Sequence, residues 1–174
     1  SALDALWRVL IFFTILTNLL VAAACISLWR APQSNSFLAK PSTQGAIALY
    51  IAVVGIVYAA ILAKLWNPQG WQYVADFLIH RVSPLAFALY WLCFTPKGTL
   101  RWRDALRWLI YPLLYLIYAL TRGAVGGYCP YPFIDVATQG AAAVAVNSLM
   151  MLALFVVLGL AIVAIDRTVG ATTR

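Results

Sequence analysis

The stretch TQGAAAVAVNSLMMLALFVVLGLAIVAI, residues 138–165, decides the fold of this chain. It carries no charged residue and exceeds the roughly 20 residues that a helix needs to cross the hydrocarbon core of a bilayer. The whole chain of 174 residues is 64% hydrophobic and only 10% charged, whereas soluble domains have about 25% charged residues. The sequence therefore predicts an all-α, polytopic transmembrane helical bundle and excludes a water-soluble domain.

Four more apolar segments are long enough to span a membrane, and turn-forming residues separate all five. Pro, Gly, Asn and Ser are frequent in the connections, such as NPQG at 67–70, and these residue types interrupt helices. The predicted spanning helices cover residues 4–29, 45–66, 71–94, 104–121 and 138–165. Because no linker or repeat divides the sequence, we expect a single transmembrane domain over residues 1–174.

Basic residues are concentrated in alternate connections, which predicts the orientation of the bundle. Lys and Arg are frequent at 97–107 and near the C-terminus, whereas the connection at 67–70 has neither. Cytoplasmic loops of membrane proteins are enriched in Lys and Arg. We therefore expect the C-terminus and the connections 30–44 and 95–103 in the cytoplasm, with 67–70 and 122–137 outside. Because this arrangement accounts for the net charge of +7, nucleic acid is not an expected partner.

His80 is the only histidine of the chain, and it lies in the third predicted span close to Asp76 and Arg81. Ionisable residues inside a membrane are costly and usually face protein or a water-filled cavity. His80 could act as a general base or hydrogen-bond between helices as a packing residue. Asp76, one helical turn earlier, could orient the His80 ring or pair with Arg81. Arg81 could bind a substrate carboxylate, but pairing with Asp76 or Asp135 is the preferred interpretation.

Three polar residues lie at a similar depth in three predicted helices. Measured from the outer ends of those helices, Thr14, His80 and Asn147 are about 14 to 15 Å deep, so we expect them to converge on one cavity. A threonine hydroxyl is a nucleophile once a base removes its proton, although Thr in membrane helices more often bonds its own backbone. Asn147 could donate to an oxyanion or join helices by hydrogen bonds.

Several segments resemble a group of small bacterial polytopic membrane proteins. They are FFTILTNLL at 12–20, IHRVSP at 79–84, PKGTLRWRDALRWLIYPLLYLIY at 96–118 and RGAVGGYCPYPFID at 122–135. This group is distantly similar to the eukaryotic androgen-induced proteins, which include the androgen-dependent regulator of tissue factor pathway inhibitor. The distant similarity rests on the F-x-T of the first helix, on a histidine shortly before a proline, and on the aromatic YPF loop.

The eukaryotic members of that family are threonine hydrolases that cleave fatty acid esters of hydroxy fatty acids inside the membrane. The resemblance implies that Thr14 is the nucleophile, with Thr17 as the alternative if the register differs by three, and that His80 is the base. It also implies a six-helix fold, with one further span before the FFT segment. The resemblance implies no metal and no organic cofactor.

Residues and resemblance together predict an intramembrane hydrolase of lipid esters. Thr14 and His80 are the predicted catalytic residues, and Asp76, Asn147 and Arg81 are supporting candidates. Membrane lipids and an ester substrate are the expected partners, and a bacterial plasma membrane is the expected location. Two alternatives remain open: a non-catalytic lipid-binding or transport protein that handles protons or anions, and a scaffold that recruits partners through its basic loop. The sequence does not fix the oligomeric state.

Overall fold

The computed structural model describes residues 2–30 and 36–172, and these residues form helices and turns without any β-strand. The helices are α1 (Ala2–Val9), α2 (Phe13–Arg30), α3 (Pro41–Ala60), α4 (Trp71–Phe77), α5 (Ser83–Phe94), α6 (Trp102–Arg107), α7 (Ile110–Gly126), α8 (Val136–Gln139) and α9 (Ala141–Thr172). A π-helical turn, Leu78–Val82, joins α4 to α5. Short 3-10 turns occur at Phe37–Ala39, Leu62–Lys64 and Pro132–Ile134.

Five helical stretches in the described residues are long and apolar enough to cross a membrane, which confirms the all-α polytopic bundle. They cover Phe13–Arg30, Pro41–Lys64, Trp71–Phe94, Trp102–Gly126 and Ala141–Thr172. Many large hydrophobic side chains remain exposed on their outer surfaces. Such an apolar surface would drive aggregation in water, and it is the surface that lipid tails require.

The second span is the centre of the bundle, because 56% of its apolar 18-residue stretch is buried, compared with at most 22% for the same length of any other span. α3 packs against α2, α5 and α9. Two sides of α3 face different surroundings. Val53 and Val57 line an internal cavity, whereas Gly55 and Tyr58 face the π-helical turn. The central helix therefore has the candidate site residues on both of its sides.

The first predicted helix, 4–29, is wrong in one respect, because the chain breaks it into two. α1 ends at Val9 and α2 begins at Phe13. Thr14 is consequently the second residue of the spanning helix and does not lie about three turns inside a helix that starts near Asp4. Because of this break, Thr14 lies near the start of its spanning helix, and the depth predicted for it from the sequence is wrong.

Side chains of α7 explain why the chain tolerates the break. Backbone groups need hydrogen-bond partners inside a bilayer, and residues 10–12 lack part of the regular helical ladder. Two α7 side chains donate to carbonyl oxygens in this segment, Tyr115 to Ile11 at 2.8 Å and Tyr118 to Leu10 at 3.4 Å. A third, Arg122, donates to the Trp7 carbonyl in α1 at 2.9 Å. Tyr115 and Tyr118 thus provide hydrogen-bond donors for the backbone at the break.

Other helix bounds also differ from those predicted. The fourth span reaches from Trp102 to Gly126 instead of 104–121. The fifth begins at Ala141, because Gly140 has a positive φ of 79° and ends α8 there. Asn147 is therefore about 9 Å from the start of its helix, less than the predicted depth.

The connections are grouped at the two ends of the bundle as the charge pattern predicts. The Thr95 hydroxyl donates to the side-chain oxygen of Gln44 at 2.6 Å. The Leu100 amide donates to the Asp166 carboxylate at 2.9 Å. These bonds bring the start of α3, the 95–101 connection and the last turns of α9 to one end. The side of the membrane that this end faces stays a prediction.

Candidate functional site

His80 lies in the π-helical turn, and the IHRVSP segment explains why the helix widens there. Pro84 has no N–H with which to bond the His80 carbonyl four residues earlier, and its ring clashes with a regular helical turn. The chain instead forms a five-residue bond, from the Ser83 amide to the Leu78 carbonyl. Such π turns are rare and are frequently found at functional sites.

Asp76 and Tyr58 surround the His80 ring. His80 Nδ1 lies 3.1 Å from the Asp76 carboxylate oxygen Oδ1 and 3.1 Å from the Asp76 backbone oxygen. The Tyr58 hydroxyl donates to the other carboxylate oxygen, Oδ2. The rings of Tyr58 and His80 are stacked, with centroids 4.0 Å apart and planes inclined by 13°. Asp76 therefore contacts the ring as the i, i+4 spacing predicts, and Tyr58 covers one face of it.

Arg81 does not make the ion pair that the sequence favoured. Within residues 2–30 and 36–172, no carboxylate forms a salt bridge with its guanidinium, which lies 5.9 Å from the Tyr58 ring centroid and 5.6 Å from that of Phe77. The Asp76 carboxylate is occupied by Tyr58 and His80. Asp135 instead caps α8, where its carboxylate accepts the Ala137 amide at 3.1 Å. The Arg81 side chain is exposed, and its guanidinium lies beside the aromatic rings of Tyr58 and Phe77.

A cavity opens on the opposite side of α3, between α2, α7, α9 and the loop that precedes α8. Its lining is mostly apolar, and its hydroxyl groups come from Thr14, Tyr115, Tyr131 and Ser148. Thr14 is only 6% exposed. His80 and Asn147 are not among the residues that line this cavity, so the shared cavity expected for the three residues is not found here.

The Thr14 backbone is held by the loop between α7 and α8. The Thr14 amide donates to the Tyr131 hydroxyl at 3.4 Å, and Tyr131 is itself buried. Burial raises the pKa of the Tyr131 hydroxyl, and its hydrogen bonds with Thr14 and Phe13 offset part of that rise. Tyr131 therefore keeps its proton at neutral pH and can donate a hydrogen bond at the cavity wall.

The two candidate threonines of α2 differ in their surroundings. Thr17 is completely buried, and its hydroxyl lies 3.3 Å from the Tyr111 hydroxyl. Thr17 does not line the cavity, whereas Thr14 does. Of the two registers that the resemblance left open, the geometry favours Thr14.

Asn18 joins the part of α2 that carries Thr14 to the turn that carries His80. Its side-chain amide donates to the Thr14 carbonyl at 2.8 Å and to the Ile79 carbonyl at 3.2 Å. The hydrogen bonds of the described residues include none between the Thr14 and His80 side chains. Asn18 thus links the α2 turn that carries Thr14 to the turn that carries His80, and the described residues show no hydrogen bond between the Thr14 and His80 side chains.

Asn147 has a structural partner. Its side-chain amide donates to the Phe133 carbonyl at 2.8 Å, which ties α9 to the loop before α8. This bond uses one of the two N–H donors of the Asn147 amide. Ser148, the next residue, is the one that lines the cavity.

Sequence reasoning assigned no role to Asn18, Tyr58 or Tyr131. Asn18 carried a usable signal, because it is a polar residue one turn after Thr14 in an apolar helix. Tyr131 belongs to the YPF loop on which the resemblance partly rests, but its contact with Thr14 was not predicted. Tyr58 carried no signal, since it contacts Asp76 and His80 from another helix. Among the residues that the structure describes, no cluster of three or more His, Cys, Asp and Glu side chains could hold a metal ion.

Comparisons of the chain with models of known protein families, with curated proteins and with solved structures found no match. The resemblance to the androgen-induced proteins stays a prediction.

Proposed function

We propose that this chain is an intramembrane hydrolase of lipid esters in which Thr14 is the nucleophile and His80 is the general base. The observation that carries the proposal is the position of Thr14, buried in the wall of an apolar cavity beside the Tyr131 hydroxyl. An acyl chain would fit the apolar lining, and its ester carbonyl would reach the hydroxyl groups. The YPF-loop resemblance and the F-x-T pattern support the same residue.

The reaction would proceed in two balanced steps. Thr14 Oγ1 attacks the ester carbonyl carbon while its proton passes to His80, and the alcohol leaves with that proton. Water then attacks the acyl-threonine, again with His80 accepting the proton, and the fatty acid is released as Thr14 regains its hydrogen. Because no direct bond joins the two side chains, proton transfer requires one bridging water or a closure that follows substrate binding. Such tightening on substrate binding is common.

A matched pair of substitutions tests the nucleophile. Thr14→Val and Thr17→Val each replace a buried hydroxyl by a methyl group on the same helix. With purified protein in detergent and a long-chain ester as substrate, we expect Thr14→Val to abolish hydrolysis and Thr17→Val to keep most of it. Thr14→Ser should retain part of the rate because it keeps the hydroxyl. Mass spectrometry after treatment with a lipid phosphonate should locate the adduct on Thr14.

His80→Gln tests the base. Loss of a general base lowers a rate by about 10²- to 10⁴-fold, and we expect a decrease in that range. The Thr14→Val and His80→Gln effects should be far from additive, because the two residues act as a unit. Full activity of Thr14→Val protein, free of contaminating esterases, would contradict the proposed nucleophile.

A non-catalytic lipid-binding function is the second candidate, and one observation favours it: His80 lies outside the lining of the cavity. A lipid held there would need no base. Wild-type protein that binds a long-chain fatty acid but hydrolyses none of a panel of esters would support this candidate over the hydrolase.

A further inference from the structure

Each of the two oxygens of the Asp76 carboxylate contacts a different residue. Oδ1 lies 3.1 Å from His80 Nδ1, and Oδ2 accepts the Tyr58 hydroxyl. Asp76 is 9% exposed, so little else can approach it. The carboxylate is therefore fixed from two sides, by a residue of its own span and by one from α3.

The hydrogen-bond geometry of His80 determines which ring nitrogen carries the proton. Nδ1 faces two acceptors, the Asp76 carboxylate and the Asp76 backbone oxygen, each at 3.1 Å. A backbone carbonyl can only accept a hydrogen bond, so Nδ1 must be the donor. In the neutral ring this leaves Nε2 without a hydrogen and with a free lone pair. Nε2 is therefore the basic nitrogen.

Tyr58 contacts both members of this pair. Its hydroxyl bonds the carboxylate, and its ring lies parallel to the imidazole at 4.0 Å. Gly55, one turn earlier on α3, permits the close approach, because a Cβ there would meet Pro84 at 3.1 Å. A larger residue would push α3 and its Tyr58 away from the ring.

The other elements packed around the π-helical turn place few charged side chains near His80. The Arg81 guanidinium lies 5.9 Å from the Tyr58 ring centroid, and Tyr73 belongs to the turn that precedes Asp76. α2 presents the neutral Asn18, and α5 presents Pro84. Asp76 is thus the acidic group that His80 meets in the described part of the chain.

We propose that Tyr58 is a positioning residue for His80. Its hydroxyl holds the Asp76 carboxylate and its ring holds the imidazole plane, so that Nδ1 is protonated and Nε2 is presented as the base. The tautomer part of this inference stands on the contacts alone. Its value for ester hydrolysis rests on the proposed function.

Nitrogen NMR of the whole chain in detergent tests the inference directly, because His80 is the only histidine. With ¹⁵N-labelled histidine the spectrum contains one pair of ring nitrogens. At a pH where the ring is neutral, we expect a protonated, pyrrole-type Nδ1 and an unprotonated, pyridine-type Nε2. A wild-type spectrum dominated by the Nε2–H tautomer would overturn the inference.

Tyr58→Phe separates the hydroxyl from the ring, since it keeps the stacking surface. Loss of one hydrogen bond shifts an equilibrium by roughly 3- to 10-fold, and we expect the Nε2–H tautomer to increase by that factor. Tyr73→Phe is the matched control, because its exposed hydroxyl has no hydrogen-bond partner among the described residues. An unchanged tautomer ratio in Tyr58→Phe protein would show that Tyr58 does not position the ring.

Hydrolysis measurements on the same variants distinguish the inference from the proposed function. If the wild type hydrolyses esters, Tyr58→Phe should lower kcat with little change in KM, and Tyr73→Phe should change neither. A fully active Tyr58→Phe protein would overturn the positioning role while leaving the hydrolase in place. An inactive wild type with the expected NMR spectrum would refute the hydrolase and leave the assignment of His80 standing.

Discussion

At one end of the bundle, formed by the start of α3, the 95–101 connection and the last turns of α9, backbone packs directly on backbone. We call this the basic end. Gly98 and Gly170 lie against each other, and the Gly98 amide donates to the Asp166 carbonyl at 3.0 Å. At the loop end, formed by the start of α2 and residues 127–135, side chains bridge a gap in the helical ladder. The basic end is therefore closely packed, whereas the loop end forms part of the cavity wall.

The largest expected effect is a difference in cysteine labelling between the two ends of the bundle. In a background with Cys25, Cys93 and Cys129 replaced by alanine, we compare Gln139→Cys in α8, next to the loop end, with Arg103→Cys in α6, next to the basic end. Both positions are exposed. Because basic connections stay in the cytoplasm, an impermeant maleimide added to intact cells should label only Gln139→Cys. Labelling of Arg103→Cys alone would show the opposite topology. Labelling of both cysteines in intact cells would contradict the assignment of the two ends to opposite sides of the membrane.

The native Cys129 is a poorer reporter than an introduced cysteine. Burial raises the pKa of its thiol, and only the thiolate reacts with maleimide. Its labelling should therefore be slower than that of Gln139→Cys at the same pH and should speed up as the pH rises. This comparison checks whether the loop is packed against the bundle.

The second effect is on stability at the basic end. An added Cβ at Gly170 would overlap the backbone of Gly98, and backbone cannot move aside as a flexible side chain can. We expect Gly170→Ala to lower the free energy of unfolding by about 1 to 3 kcal/mol, the usual cost of overpacking. Thermal or denaturant unfolding in detergent measures it.

Gly126→Ala is the control for that substitution. Gly126 ends α7 at the loop end, and a Cβ there would meet no atom within 4 Å. Alanine is the better helix former, so this variant should be as stable as the wild type or slightly more stable. Equal losses in both variants would show that the basic end is no more tightly packed than the loop end.

The sequence predicted the spans well because their signal is compositional and local. The pairing of Asp76 with His80 was also predictable, since both lie on one helix at i, i+4 spacing. The break at residues 10–12 was not, because VLIFF is continuously apolar and contains neither Pro nor Gly. It depends on α7 side chains about 100 residues away.

The choice between candidate site residues needed the tertiary structure. Thr14 and Thr17 are nearly one turn apart, so a shift of register could not be resolved by pattern alone. Arg81 was expected to pair with a carboxylate because an ion pair would balance its charge. In the structure the Asp76 carboxylate instead accepts a hydrogen bond from Tyr58 of another helix. Tyr58 itself is an ordinary aromatic residue of an apolar helix, and only the packing of α3 against the π-helical turn gives it a role.

The smallest expected effect is at the break itself. Tyr115→Phe removes the hydroxyl that donates to the Ile11 carbonyl at 2.8 Å, and Ile11 is 1% exposed. Its carbonyl would then lose a partner where water cannot replace it, so we expect a loss of about 1 kcal/mol in the free energy of unfolding. Tyr128→Phe is the control, since the exposed Tyr128 hydroxyl has no hydrogen-bond partner in the described residues. If Tyr115→Phe were as stable as Tyr128→Phe, the tyrosine bonds would not be what holds the broken segment, and its shape would have to come from packing of Phe13 against Tyr111 and Tyr115 alone.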